Sequence, residues 1–87
     1  MKTAFIPENL NRLSKYSGRV FTFKFGGATF THTLGRIMYM REIEEFVFDD
    51  LVRSEFSCGD SMEETHITSA SHVDHCVATG IWTEIIG

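Results

Sequence analysis

The chain has 87 residues, of which 43% are hydrophobic and 23% are charged, and its formal net charge is −4 at neutral pH. These values indicate one small globular domain over residues 1–87 and exclude an intrinsically disordered chain. No apolar run reaches the ~18 residues of a membrane-spanning helix, and the first residues lack the apolar segment of a signal peptide. We therefore expect a cytoplasmic protein without a membrane partner, in which Cys58 and Cys76 remain thiols.

The charges are divided between the two halves of the chain. Residues 1–41 contain seven of the eight Lys and Arg residues and a single acid, whereas residues 42–87 contain eleven of the twelve acids. Nine of those acids fall between Glu42 and Glu64, with Arg53 as the one base among them. The modest net charge therefore conceals a dispersed basic half and a concentrated acidic segment.

The first predicted element is a helix over residues 7–17. Pro7 suits the first position of a helix, where its missing N–H costs nothing. Ile6 and Leu10 begin a stripe at helical spacing, and Gly18 can adopt the left-handed conformation that ends a helix. The spacing predicts a short helix with one apolar face.

Residues 19–34 carry the clearest pattern, that of a β-hairpin. Two alternating segments flank Gly26 and Gly27, which can take the positive φ of a two-residue turn and pair Phe25 with Ala28. One predicted face contains Phe21, Phe23, Phe25, Phe30, His32 and Leu34. The other contains Val20, Thr22, Lys24, Thr29, Thr31 and Thr33. Because a hairpin alone is marginal in water, we expect another element to cover the aromatic face.

Residues 36–54 are predicted to supply that cover as an amphipathic helix. Its apolar stripe, at spacings of three and four, consists of Ile37, Met40, Ile43, Val47 and Leu51. Glu42, Glu45 and Asp49 would then line the exposed side of the helix. A competing interpretation makes residues 36–41 a third strand and begins the helix near Glu42.

Residues 61–80 permit two interpretations. Ser61 with Glu64 resembles a capping box, and a helical stripe follows it. That stripe consists of Ile67, Ala70, Val73 and Val77. The many β-branched residues favour strands over residues 72–79 instead, and residues 81–86 are predicted to form a further strand. The predicted fold class is α+β, with an N-terminal helix, a hairpin, an amphipathic helix and C-terminal strands that form a small antiparallel sheet packed on helices.

Histidine and cysteine side chains raise the question of a zinc site. The candidate ligands are Cys58, His66, His72, His75 and Cys76. In a strand over residues 72–79, His75 and Cys76 would point to opposite faces. A helix would instead place His72 and Cys76 on one face. We expect no metal and no cofactor, and a zinc-stabilised domain is kept as an alternative.

Catalytic chemistry is not favoured either. Cys76 with a neighbouring histidine and Asp74 or Glu84 contains the residue types of a nucleophile and its base. No nucleophile elbow flanks them, and so short a chain leaves little room for a pocket. We expect His32 to be a histidine at the rim of the core rather than a titrating group beside a pocket. The sequence therefore predicts a protein with no catalytic residue.

Two kinds of partner remain. The basic hairpin (residues 19–34) has the residue types of a nucleic-acid stacking platform, but its Phe residues lie opposite Lys24 and its basic residues are scattered. The acidic segment (residues 42–64) is favoured, since charge would speed association with a basic protein surface and aromatics would supply affinity. The predicted partner-binding residues are Glu42, Glu45, Phe46, Asp49, Asp50, Glu55 and Asp60.

The favoured function is therefore that of a non-enzymatic interaction or inhibitor protein, of the kind that viruses and mobile elements encode. Its partner would be a protein with a basic surface. Self-association, in which the basic end of one copy meets the acidic end of another, is an alternative.

Overall fold

The computed structural model describes residues 7–86. Its elements are the helix α1 (Pro7–Leu13), a 3₁₀ turn (Ser14–Tyr16), the strands β1 (Val20–Phe25), β2 (Ala28–Met40), β3 (Glu45–Phe56) and β4 (Ser61–Ser69), the helix α2 (Ala70–Ala78) and the strand β5 (Thr83–Ile85). The strands form one antiparallel sheet in the order β4-β3-β2-β1-β5. The α+β fold class is therefore confirmed.

The N-terminal helix is shorter than predicted. It ends at Leu13 and continues only as the 3₁₀ turn, after which Gly18 adopts a φ of 80°. The position of Ile6 in the predicted stripe lies outside the described residues. No helix within residues 7–86 is long and apolar enough to cross a membrane.

The hairpin predicted over residues 19–34 is confirmed together with its register. Gly26 and Gly27 have φ angles of 59° and 80°, as a two-residue hairpin turn of this kind requires. Phe25 lies opposite Ala28, and the pairing continues residue by residue to Val20 opposite Thr33. All the aromatic residues of the hairpin therefore lie on one face, called the inner face below, and Lys24 lies on the outer face.

The amphipathic helix predicted over residues 36–54 is wrong. Residues up to Met40 continue β2, as the competing interpretation had it, but the helix beginning near Glu42 is absent from the described chain because residues 45–56 form β3. Residues 41–44 form the turn between the two strands, where Glu44 adopts a φ of 54°. The chain thus uses a second, longer hairpin where a helix was expected.

A β-bulge explains part of the helical spacing in this segment. Leu34 pairs with Asp50 and Ile37 pairs with Phe48, so that two residues of β2 lie opposite one residue of β3. The bulge returns Ile37 to the inner face three residues after Leu34. It includes Gly35, at which a Cβ atom would lie 3.2 Å from the Cβ of Asp49. A strand with a bulge therefore produces the three-residue spacing of apolar side chains that is otherwise typical of a helix.

The preference for strands over residues 72–79 is also wrong. Residues 70–78 form α2, with Ala70, Val73 and Cys76 buried, so the alternative helical stripe is correct from Ala70 onwards. The predicted start of this helix at the Ser61 capping box is wrong, because Ser61 begins β4. The strand predicted over residues 81–86 is confirmed as β5.

The helices cover only half of the inner face. The core cluster joins residues of α1, the 3₁₀ turn and α2 to residues of the sheet and to Trp82. It consists of Leu13, Tyr16, Phe21, Leu34, Phe46, Phe48, Ala70, Val73, Cys76 and Trp82. All its β1 and β2 members lie toward the end of the sheet away from the Gly26–Gly27 turn. The half of the inner face near that turn has no helix over it within the described chain.

Candidate functional site

Two of the seven predicted partner-binding residues lie in the interior. Phe46 is buried against Tyr39, with ring centroids 5.1 Å apart, and Asp50 is 0% exposed. Both point to the inner face, because in a strand their even spacing places them on the same side. Their prediction as surface residues was wrong because it assumed helical geometry.

The remaining five do not form one surface. Glu42 lies in the turn between β2 and β3, whereas Glu55 and Asp60 lie at the opposite end of β3. A strand of that length separates its two ends by roughly 35 Å. Glu45 and Asp49 are partly buried on the outer face between them. The acidic segment is therefore divided between the two ends of an elongated molecule, whose principal extents are 44 × 24 × 23 Å.

Ion pairs join the basic half of the chain to the acidic half. Arg12 lies 2.7 Å from Asp74, and Arg19 lies 3.6 Å from Glu84. These arginines are thus engaged within one molecule by acids of the C-terminal third. Their engagement leaves less basic surface for the predicted self-association between unlike ends.

A buried carboxylate lies at the centre of the inner face. Asp50 Oδ2 accepts a hydrogen bond from Thr68 Oγ1 at 2.7 Å and lies 2.8 Å from His32 Nδ1. Within the described chain its Oδ1 atom is buried without a hydrogen-bond partner. His32 in turn stacks on Trp82, with ring centroids 4.1 Å apart. The position of His32 at the rim of the core agrees with the prediction, and its hydrogen-bond partner is the buried carboxylate of Asp50.

The candidate nucleophile Cys76 lies in an unsuitable environment. Burial raises the pKa of its thiol, which favours the uncharged and unreactive form. Its Sγ atom lies 3.5 Å from His72 Nε2, as a helix predicts for residues four apart. The acids considered as third members are engaged elsewhere, Asp74 with Tyr16 and Arg12, and Glu84 with Arg19. The described residues therefore do not assemble a Cys–His–acid arrangement.

The candidate zinc ligands lie on different elements of the fold. Cys58 is exposed in the turn between β3 and β4, and His66 pairs with Glu64 on β4. Among the residues that the structure describes, no group of three or more His, Cys, Asp or Glu side chains could hold a metal ion.

A polar cleft of about 380 Å³ lies beside α2. Its lining residues are Glu45, Ser69, Ser71, His72 and His75. Ser69 Oγ lies 3.3 Å from Glu45 Oε1 and 3.0 Å from Ser71 Oγ. Three of the five lining side chains therefore bond to one another.

Asp74 joins α2 to the N-terminal segment. Its two carboxylate oxygens accept hydrogen bonds from Tyr16 Oη at 2.6 Å and from Arg12 Nη1 at 2.7 Å. Burial, followed by the hydrogen bond to Asp74 and the negative charge of that residue, raises the pKa of Tyr16 from 10.0 to about 12. This contact holds the helices together over the covered half of the inner face.

The Tyr16 phenol is therefore expected to ionise near pH 12 in a spectrophotometric titration of tyrosinate absorbance. Since the folded-state pKa lies above the unfolded value, the stability that the neutral phenol contributes is complete below pH 10 and is lost as the pH rises through about 12. Asp74→Asn should lower the Tyr16 pKa only part of the way, because burial is the larger cause. Tyr16→Phe is the control that removes the late transition. The absence of a late transition that Tyr16→Phe removes would contradict the described contact.

The uncovered half of the inner face displays an apolar tip, formed by Phe23, Phe25, Phe30, Phe56 and Met62. Phe23 stacks on Phe25 and on Phe30, with ring centroids 6.2 Å and 6.1 Å apart. Phe25 on β1 is 71% exposed, and Phe56 on β3 and Met62 on β4 are exposed as well. The strand register places all five on the inner face. A cluster of exposed apolar side chains on one face is a candidate interaction site.

The apolar tip continues around the edge of β1. β5 pairs only with Val20–Thr22, so that a groove beside Phe23 follows the rest of β1. Lys24, Ile81 and Thr83 line this groove together with Phe23. Exposed Ile81 therefore adds apolar surface next to the stacked rings.

The sequence signal for this site is the alternation that places the Phe residues on one face of the hairpin. That face was predicted to belong to the core. The predicted aromatic face was expected to be covered along its whole length, and a helix over residues 36–54 would have covered it. Since those residues instead lengthen β2 and form most of β3, only α1 and α2 remain among the described helices to cover the inner face. Comparisons of the chain with protein-family models, with curated proteins and with solved structures found no match, so the site rests on its geometry and chemistry alone.

Proposed function

We propose that this is a non-enzymatic binding domain that docks on a partner protein through the apolar tip. The observation that carries the proposal is the stack of three phenylalanine rings on the uncovered half of the sheet, with Phe25 71% exposed at its end. The surface on the partner would be an apolar patch bordered by basic side chains.

The geometry of the rings supports a binding role. Phe23 is partly buried against the core cluster and contacts both other rings, so the stack is held before a partner arrives. A pre-ordered aromatic surface loses little conformational entropy on binding. Burying one exposed Phe side chain contributes about 1.5–3 kcal/mol, and aromatic residues are frequent among those that dominate binding energy.

Charge favours a protein over a nucleic acid. In the described strands, the inner face carries no Lys or Arg, and Lys24 and Arg53 both point to the outer face. Glu64 lies on the inner face near Met62, so the charge next to the tip is negative. Stacking on aromatic rings attracts single strands only when cations neutralise the phosphates. The aromatic rings and the cations of the hairpin are on opposite faces.

Part of the acidic segment retains its proposed role. Glu55 and Asp60 lie at the same end of the sheet as the tip, and with Glu64 they form an acidic border around it. Such a border would steer the tip towards a basic partner surface and set the association rate. An inhibitory action on that partner and a cytoplasmic location, which suits the free thiols of Cys58 and Cys76, remain parts of this proposal.

The test is capture of partners from the source cell by the immobilised protein, quantified by mass spectrometry. We expect the partner to be captured by the parent and lost with the double variant Phe25→Ser/Phe30→Ser. The matched control is Leu51→Ser/Ile85→Ser, which removes two exposed apolar side chains of the outer face. Circular dichroism checks that each variant is folded.

Three outcomes would contradict the proposal. The tip variant could keep its partner, or the control could lose it equally. Capture could also be abolished by nuclease treatment, in which case the bound species would be a nucleic acid rather than a protein.

A further inference from the structure

β4 is an edge strand whose outer side is open along its whole length. It is the first strand in the sheet order, and β3 pairs with it continuously from Val47 opposite Ser69 to Glu55 opposite Ser61. The strand is nine residues long, and its first seven residues are exposed. The edge therefore presents a regular row of backbone donors and acceptors to another strand.

Apart from the charges of Glu63 and Glu64, the usual protections of an edge strand are missing from β4. Residues 61–69 contain no proline, glycine or lysine, and the unbroken pairing with β3 leaves no bulge to twist the edge away. Natural proteins blunt exposed edges with such features, because a long regular edge otherwise pairs with another chain. The edge of β4 thus has the geometry of an interface.

We propose that the occupant of this edge is a second copy of the chain, whose β4 pairs antiparallel with the first about a two-fold axis at Thr65. A two-fold axis perpendicular to the sheet keeps the two inner faces on the same side. The axis must then pass through a residue of β4, and moving it to the next residue shifts the pairing by two residues. The register centred on Thr65 pairs all nine residues of the strand. Shifts to Glu64 or His66 as the centre would pair seven.

The pairing of side chains selects the same register. With Thr65 at the axis, Glu64 of each copy lies opposite His66 of the other copy. In one molecule the two side chains already lie 3.0 Å apart on the same face and remain about half exposed, so both are available to a second strand. A centre at Glu64 would place two carboxylates opposite each other, and a centre at His66 would do the same with two imidazoles. Full backbone pairing and the pairing of an imidazole with a carboxylate therefore coincide in one register.

Self-pairing would produce a continuous ten-stranded sheet and leave the apolar tips free. Met62, the one tip residue on β4, would lie opposite Thr68 of the second copy. The two tips would then lie on the same face of the dimer, near opposite ends of the shared strand pair. The dimer would present two copies of the proposed binding surface, which raises the apparent affinity for a partner with repeated sites.

The test is the oligomeric state of the full chain, measured by sedimentation equilibrium over a range of concentrations. We expect the parent to be dimeric and His66→Glu, which gathers four carboxylates at the axis, to weaken the dimer at least about tenfold. Glu64→Lys/His66→Glu exchanges the charges and should restore the dimer. Lys24→Gln is the matched control, because it changes a charge on the outer face of β1, away from the β4 edge. This variant should leave the dimer intact.

The proposal is overturned if the parent is monomeric throughout the range, if His66→Glu dimerises as tightly as the parent, or if the charge exchange fails to restore the dimer. A dimer that is lost in Phe25→Ser/Phe30→Ser but kept in His66→Glu would place the second copy on the apolar tip instead. That result would contradict β4 pairing and assign the tip to self-association.

Discussion

Replacing Phe21 by alanine is expected to lower the free energy of unfolding by about 3–5 kcal/mol. The side chain is 0% exposed and contacts the rings of Tyr16 and Trp82, with centroids 6.1 Å and 6.0 Å away. Truncation therefore removes both the buried area and the contacts around it, because helices on one side and the sheet on the other limit relaxation. A loss of this size is a large fraction of the stability of a domain with 87 residues.

The matched control for this change is Phe25→Ala, on the same strand and the same face. Phe25 is 71% exposed, and its loss should change the free energy of unfolding by less than about 0.5 kcal/mol. Urea unfolding followed by circular dichroism measures both values. Equal losses for the two variants would mean that the apolar tip is covered, and the division of the inner face into two halves would be wrong.

The second large effect is expected for His32→Leu. This change leaves the carboxylate of Asp50 buried with only the hydroxyl of Thr68 as a donor. Leaving a buried carboxylate without its partner costs about 3–5 kcal/mol, because the carboxylate has lost water and gains no replacement for the contact with His32. The loss of the ring stacked on Trp82 adds to the effect.

The double variant His32→Leu/Asp50→Leu separates the buried charge from the loss of packing. Replacing both partners with apolar side chains should return the free energy of unfolding to within about 1 kcal/mol of the parent. Urea unfolding monitored through Trp82 fluorescence provides the values for a double-mutant cycle. If the double variant is as unstable as His32→Leu, packing rather than the uncompensated carboxylate explains the loss.

The hairpin over residues 19–34 could be predicted to single-residue register because its turn has a sequence signal. Gly26 and Gly27 tolerate positive φ, and strict alternation on both sides leaves one register. The next hairpin has no such signal. Its turn, residues 41–44, contains no Gly, Asn or Asp, and the positive φ falls on Glu44. Because residues 41–44 contain none of the residues typical of a hairpin turn, the sequence pattern predicted a helix that continues through them.

Burial also obscured the alternation in β3. Phe46, Val47 and Phe48 are consecutive and all buried, because this central strand is covered on both faces there. Two-sided burial removes the period of two that identifies a strand. A helix over residues 36–54 places Asp49 and Asp50 at its surface. In the sheet, these two residues point to opposite faces. The error in the predicted site therefore derives from the error in secondary structure.

The position of α2 has a consequence for the order of folding during synthesis. The pairings among β1, β2, β3 and β4 join neighbours in sequence, whereas β5 must reach back to pair Ile85 with Val20. α2 is the connection that carries the chain from one edge of the sheet to the other. While the ribosome still holds residues 70–85, β1 to β4 can pair, but Phe21 and Phe48 lack the cover that α2 and Trp82 provide. Until those residues emerge, only α1 and the 3₁₀ turn can pack on the inner face, so a large part of it is exposed.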